Sequence, residues 1–338
     1  MPTVRQIAER AGVSISTVSL ALNNKKGVAD ATRQRVLNVA SELAGQEREH
    51  GAARRGPDRR PRVIMVLHPA QVDDDVFTAF LRGIWSATVG TSIQLQMTVN
   101  DQSLAGNGIS HLFFSDVDLL PDGLLALGVK KRDPIIDQAR RAGVPCVLVQ
   151  RETEDPGLSA VGVDEAGTAR TLTDHLLNLG HTRIGFCGAK DGYSFSDSRL
   201  LGYRQAMSAR GIEVPDPWVS MGWDRETACR LLTGAPELTA IVFLDDGHAL
   251  HHGIPAIQAA GLRIPEDVSV ASIDNIREAQ DHEPPITSME LPFYDMSRLA
   301  VRILTEQLDD PMIQSQHIRL NAFLHPRASC APPRRSAT

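Results

Sequence analysis

The feature that most limits what this chain folds into begins at Val63. From there, short apolar runs alternate with longer stretches of helical period. The runs are "RVIMVLH", "IQLQMTV", "GLLAL", "VPCVLV", "RIGFCG", "TAIVFL" and "DVSVASI". Each is rich in Val, Ile and Leu without an alternating polar face, the pattern of strands covered on both sides in a parallel sheet. Between several of them lie "FTAFLRGIWSAT", "DPIIDQARRAG", "GTARTLTDHLLNLG", "SRLLGYRQAMSARG" and "ALHHGIPAIQAAG", which read as helices. Strand–helix alternation builds βαβ units, and this many strands predicts two doubly wound parallel sheets, hence two subdomains. Ligands of such sheets bind at the carboxyl ends of the strands, which places the expected pocket in the cleft between the two.

The first 60 residues have a different grammar. Thr3 followed by Gln6 reads as a capping box, and Val4, Ile7, Ala8 and Ala11 form an apolar stripe at helical spacing. Gly12 stops that helix, and Ser14 caps a second in which Val18, Ala21 and Leu22 face inward. After "NNKKGVAD", with Asp30 as N-cap, a third helix runs from Ala31 to about Leu43 and buries Val36, Leu37, Ala40 and Leu43. Three short helices with a tight turn between the first two make a helix-turn-helix unit. The exposed face of its second helix carries Ser14, Ser16, Thr17 and Ser19, short groups that let a helix backbone come close to phosphates. Lys25, Lys26, Arg33 and Arg35 supply positive charge beside it.

Charge divides the chain in the same place. The net charge is −6, yet residues 1–62 carry +6 and the remainder −12. A basic head on an acidic body is suited to a polyanion at one end only. The cysteines Cys146, Cys187, Cys229 and Cys330 are far apart and form neither a metal nor a redox spacing, which suits free thiols in a reducing cytoplasm. The start "MPTVRQIAER" has no apolar segment of secretory type, and no run approaches the length of a membrane span. A cytoplasmic location and no membrane partner are expected, and a transport binding protein is disfavoured. There is no P-loop, no "GxSxG" elbow and no "GxGxxG" after a strand. An enzyme with a DNA-binding head is therefore the remote alternative, and no cofactor is expected.

The stretch "TVRQIAERAGVSISTVSLALN…GVADATRQRVLNVASEL" closely resembles the DNA-binding domain of the LacI/GalR family of bacterial transcription regulators. Further on, "VGVDEAGTARTLTDHLLNLGHTRIGFCG", "SRLLGYRQAM", "PEDVSVASIDN" and "PPITSMELPFYDMSRLAVRILTEQL" resemble its effector domain, which is similar in fold to periplasmic sugar-binding proteins. The likeness is weak over 68–120. It implies helix-turn-helix at 1–46, a basic linker or hinge at 47–62, and an effector-binding and dimerisation domain at 63–328. Crossovers between its subdomains are expected near 151–160, 287–291 and 318–324, and residues 329–338 are expected to form a disordered tail.

By the same resemblance, Ile15, Ser16 and Leu20 reach base edges, while Thr17, Ser19 and Asn23 hold backbone or flank. Ser14, Arg5 and Arg33, with Arg54 and Arg55 of the linker, complete the DNA-binding set. An apolar Ile15 and Leu20 suit thymine methyls rather than guanine. The linker "AGQEREHGAARRGPDRRPR" has Gly56 and Pro57 where the family carries a hinge-helix leucine, so a hinge helix and a flexible basic linker remain equal readings. In the body the resemblance assigns effector contacts to Arg199, Trp223, Asp274 and Phe293, and to Asp245 in "FLDDGHALHHG". A guanidinium, carboxylates and aromatic faces suit a small polyol or sugar. Asp245 with His248, His251 and His252 also admits a metal reading, against the plainer ones of a solvated helix face or a structural hydrogen bond; no metal is assigned. Apolar Phe77, Phe80, Leu81, Ile84 and Trp85 fit either a dimer interface or a core.

The expected function is a ligand-responsive repressor. It binds a near-palindromic double-stranded DNA operator as a homodimer, under the control of a sugar-like effector. The alternative within this architecture is a diverged effector site that senses a non-sugar ligand or none.

Overall fold

In the computed structural model of the 338-residue chain, the described residues are 4–22, 28–29, 31–39, 62–69, 74–100, 120–189 and 192–334. The head follows its sequence closely. Helix Val4–Ala11 ends at Gly12, whose φ of 65° lies in the left-handed region that turns the chain out of a helix. Helix Ile15–Leu22 then starts from Ser14, whose Oγ accepts the N–H of Thr17 at 3.1 Å. A third helix spans 31–39. Ile7, Ala8, Ala11, Val18, Ala21 and Val36 close on one another as a small core, flanked by Val13, Val28 and Val39. Arg33 of the third helix donates from Nη1 to the carbonyls of Ala21 (3.1 Å) and Leu20 (3.4 Å), satisfying orphan acceptors at the end of the second. The capping pair Thr3–Gln6 and the core positions Ala40 and Leu43 lie outside the described residues or side chains.

Beyond the head, two six-stranded sheets form. The strands are β1 Arg62–Pro69, β2 Ile93–Asn100, β3 Gly123–Leu127, β4 Cys146–Val149, β5 Ser159–Val163, β6 Ile184–Gly188, β7 Val219–Met221, β8 Ala240–Phe243, β9 Ser269–Asp274, β10 Thr287–Glu290, β11 His317–Leu320 and β12 Phe323–His325. The first sheet has the order β11-β5-β4-β3-β1-β2, the second β12-β10-β9-β8-β6-β7. Every residue of β3, β4, β6 and β8 is buried, as continuous apolar runs require. The described pairings are parallel except β10 with β12, where Ser288 faces His325 in antiparallel register. β12 follows β11 after only two residues and joins the other sheet, at its edge beside β10.

Two expected boundaries are corrected. The chain leaves the first sheet after Val163 rather than over 151–160, because β5 pairs with β4 (Val147 opposite Ser159) before helix Glu165–Asn178 leads to β6. The later passages follow β10, through helix Phe293–Asp309 to β11, and separate β11 from β12. The supposed tail is docked as far as Arg334. Ser329 is fully buried, with its Oγ donating to the Val270 carbonyl at 2.6 Å and accepting the Thr287 N–H at 2.8 Å. Ala331 offers its carbonyl to His181 Nε2 at 2.9 Å, and Arg334 pairs with Asp267 at 3.1 Å. Its Pro-rich composition concealed backbone groups with partners waiting in β9 and β10.

Helix Asp74–Thr88 packs on helix Phe293–Asp309. Phe80 and Ile84 are buried there, and Phe80 meets Phe293 edge-on at 5.0 Å. A Cβ on Gly83 would fall 2.1 Å from Ser297 Oγ and 2.2 Å from the Tyr294 carbonyl, so the helices approach as only glycine permits. Trp85 is on the opposite face, 66% exposed.

Candidate functional site

In the head, the second helix presents Ser14 and Ser16 exposed, with Ile15 exposed at 55%. An exposed isoleucine at a helix start adds nothing to the head's core and is free for an outside apolar contact. Thr17 and Leu20 are half-buried. Arg33 serves the carbonyl ends of that helix, so its guanidinium is a strut for the helix as well as a charge beside it. The side chains of Arg5 and Ser19, and residues Asn23, Arg54 and Arg55, lie outside what is described, as does the linker up to Pro61.

A cavity of about 340 Å³ opens at the carboxyl ends of strands from both sheets. All its lining residues belong to one compact unit (His68–Gly90, Leu125–Arg132, Val147–Thr338). Four of the five expected effector residues line it: Arg199, Trp223, Asp245 and Asp274. Phe293 does not. It is 4% exposed and its ring is used against Phe80 in the helix pair. In its place stand two aromatics that sequence reasoning missed, Tyr193 and Phe195, stacked at 5.1 Å with 18° between planes. The signal was present. Phe195 precedes Arg199 by four residues in helix Ser194–Ala209, and helical spacing lays the guanidinium 5.0 Å over its ring.

Arg199 is 1% exposed and organises the site. Its Nε donates to Glu165 Oε2 at 2.7 Å and its Nη1 to the Leu244 carbonyl at 2.7 Å. Nη2 stands 3.6 Å from Asp274 Oδ1. Among the described residues neither Nη2 nor Oδ1 has a hydrogen-bond partner, and both atoms are buried, so their ion pair with each other is what holds them. Burial pushes the Glu165 carboxyl up from its ordinary range, and Arg199 opposes this. Burial likewise raises Asp274 despite Arg199, and the nearby carboxylates Asp245 and Asp246 add to the rise. Asp274 adopts φ 116°, Asn275 φ 60° and Gln150, at the end of β4, φ 56°. Non-glycine residues in this region carry local strain, and two of these three line the cavity.

The consecutive aspartates after β8 part company. Asp245 lines the cavity and caps the next helical turn, accepting the His248 N–H at 2.7 Å. Asp246 points into the protein, where it accepts from Ser272 Oγ, from Ser288 Oγ at 2.8 Å and from the Ile276 N–H at 2.9 Å. Burial lifts its carboxyl to about 6 against these donors. His248 is buried at 1% exposure, with Nε2 4.0 Å from Cys187 Sγ and Nδ1 without a partner among the described residues. Burial lowers it to about 4, so the imidazole is neutral at pH 7. Its ring lies 5.2 Å from Trp223 and 5.8 Å from His252. Among the described residues no group of three His, Cys, Asp or Glu side chains is placed to hold a metal ion. Nor is any helix there long and apolar enough to cross a membrane.

The arrangement has aromatic faces for C–H surfaces and fixed donors and acceptors for a polar edge. The buried Cys187 thiol, near His248, is raised to about 12 by burial and is not activated.

Comparison with known proteins agrees with both halves. Residues 3–44 match the profile of bacterial regulatory proteins of the lacI family, and residues 173–330 that of a periplasmic binding protein-like domain. The HTH-type transcriptional regulator CelR of Thermobifida fusca is 30% identical over 339 residues, covering 97% of this chain and 98% of that protein. The transcriptional repressor CytR of Escherichia coli (strain K12) is 27% identical over 94% of this chain and 91% of its own length. Among solved structures, a complex of the regulator CelR with cellobiose superposes with a TM-score of 0.75 at 26% identity, covering 97% of this chain and 100% of the other. The regulator CcpA of Lactococcus lactis shares the fold at a TM-score of 0.71 and 22% identity, over 80% of this chain and 100% of its own.

Proposed function

Because this chain belongs to the lacI family of bacterial regulatory proteins, DNA-binding transcription regulators rather than enzymes, we propose that it is a repressor whose grip on DNA is set by a small carbohydrate in the cavity at Arg199. It acts as a homodimer in the cytoplasm, on a near-palindromic operator whose two half-sites match the symmetry of the pair. The observation that carries this reading is the joining of Arg199, Asp274, Asp245 and Trp223 around one cavity, Arg199 and Asp274 being ion-paired at 3.6 Å. Polar side chains around the cavity suit the hydroxyl edge of a sugar, and the aromatic rings cover its apolar face. Cellobiose, held by the similar CelR structure, is the first ligand to try.

The test is fluorescence anisotropy with labelled DNA from upstream of the gene, at several salt concentrations, with and without cellobiose and a panel of neutral sugars. Tight binding that scrambled DNA does not reproduce, altered by one sugar, is the expected result. Equal affinity for scrambled DNA refutes a specific operator. Silence across the panel favours the same architecture with a non-sugar effector or none.

A further inference from the structure

We propose that segment 128–132 is a clasp on the cavity's rim. Lys130 and Lys131 hold the start of helix Ser194–Ala209 in place, and a ligand enters or leaves when that hold breaks; this rests on the reading of the cavity as an effector site. The segment follows β3, and its first residue, Gly128, lines the cavity, as do Tyr193 and Phe195 at the start of the helix. Polar contacts join the two rims. The Lys131 N–H donates to the Gly192 carbonyl at 3.0 Å, and Lys131 Nζ pairs with Asp197 Oδ2 at 2.6 Å. Lys130 Nζ stands 5.6 Å from the centre of the Tyr193 ring. Just beyond β4, Arg151 Nη2 donates to the Lys131 carbonyl at 2.7 Å and ties the same residue back to the first sheet.

The chemistry of these contacts suits a fastening that opens. Lys131 and Asp197 are 48% and 63% exposed, and an ion pair in water shifts an equilibrium by a factor of a few at most. The middle of the helix is held differently. Tyr203 is fully buried and its hydroxyl donates to the Ile184 carbonyl at 2.7 Å, while Arg199 is locked to Glu165 at 2.7 Å. The helix is thus anchored in the core along its length and fastened only at the surface where it begins, so its start is the part that opens first. Opening there reaches the cavity wall directly. Lys130, Tyr193, Phe195 and Arg199 form one continuous run: the two rings stack at 5.1 Å, and the guanidinium lies 5.0 Å over Phe195. Lys130, Lys131 and Asp197 do not line the cavity themselves, so they act on a ligand by positioning the aromatic side of its wall.

The experiment reverses the charges in the full chain: Lys131→Glu, Asp197→Lys, and the two together. Hydrogen exchange read by mass spectrometry on the ligand-free protein reports the opening. Each single variant sets like charges side by side and should raise exchange over 128–132 and 193–200 about fivefold, with β6 and β8 as protected as before. The double variant restores the pair and should return to within about twofold of the wild type. In 1 M salt, where charges act over only about 3 Å, the wild type and the single variants should converge. Cellobiose, followed by stopped-flow tryptophan fluorescence, should leave each single variant about fivefold faster than the wild type or the double variant. If cellobiose does not bind the wild type, the carbohydrate reading fails on its own, and exchange alone decides the clasp. Exchange unmoved by the single variants, a double variant that does not recover, or single variants that salt leaves unchanged overturns the proposal. So does lost protection that spreads to β6 and β8, or bound cellobiose that leaves every variant at the wild-type rate.

Discussion

Replacing Arg199 with methionine separates the two duties of the buried guanidinium. The side chain fills similar volume but removes the charge that Glu165 faces at 2.7 Å in a position only 4% exposed. Removing one member of a buried, hydrogen-bonded ion pair strands the other, a loss of about 3–5 kcal/mol. The doubly substituted Arg199→Met/Glu165→Gln chain no longer strands Glu165, although Asp274 still loses the guanidinium 3.6 Å away. It should recover part of the deficit, the remainder reflecting Asp274 and the lost hydrogen bond to the Leu244 carbonyl. The single variant also carries a signature in pH. Burial already raises Glu165 above its unfolded value, and loss of Arg199 removes what opposed the rise. A group raised in the fold contributes stability fully present below its unfolded pKa and lost as pH rises through the folded one. The deficit of Arg199→Met is therefore smallest in acid and grows toward neutrality. Urea unfolding of the wild type and both variants from pH 4 to pH 8 measures this, and effector binding should be absent in both variants. A deficit below about 1 kcal/mol, one independent of pH, or one that Glu165→Gln leaves uncorrected would refute the account of a buried pair.

Other outcomes follow from neighbouring groups. His248, lowered to about 4 from 6.5, holds fewer protons folded than unfolded in that interval, so it removes roughly 3 kcal/mol as pH falls through it; His248→Gln should flatten that decline in urea melts. Asp246, raised to about 6 from 3.8, acts with the opposite sign in the same window, so Asp246→Asn should steepen the loss of stability toward acid. Phe293→Ala should cost about 3–5 kcal/mol through the cavity left beside Phe80, while effector affinity measured by calorimetry stays within about twofold. In anisotropy assays Ser16→Ala should reduce preference for the operator over scrambled DNA. Arg33→Ala should weaken both alike, and should lower the head's stability by about 1–2 kcal/mol as Leu20 and Ala21 lose their donor.

The elements legible in the sequence were those that announce themselves through period or through one residue's geometry. Gly12, Ser14 and the Ile7–Ala8–Ala11 stripe gave the head's turn, cap and core, and the Val/Ile/Leu runs gave seven strands. β5, "SAVGV", has small residues and no long apolar run, and β7, β10, β11 and β12 are too short for periodicity to register. Four pocket residues were found through resemblance because their surroundings are recognisable: Trp223, Asp245 and Asp274 stand at or just after strand ends, and Arg199 lies within helix Ser194–Ala209. Phe293 stayed in its helix, but its ring turned to Phe80, a choice made by packing between segments more than 200 residues apart. His248 read as part of a solvated helix face or as a structural hydrogen-bonding group; it is buried at the head of a π turn over Ala249–Gly253, where a Cβ on Gly253 would strike the Phe243 ring at 2.2 Å.

Asp274 takes its place with φ at 116°, and this has an evolutionary corollary. A backbone bent that way admits glycine readily and tolerates asparagine or aspartate, whereas branched side chains are penalised before any ligand arrives. A lineage adapting to a new ligand thus has little latitude at this corner. Its freedom lies at Asp245 and Trp223, whose φ values are not in that region, so diversification of taste should be concentrated there while 274 stays within a narrow alphabet.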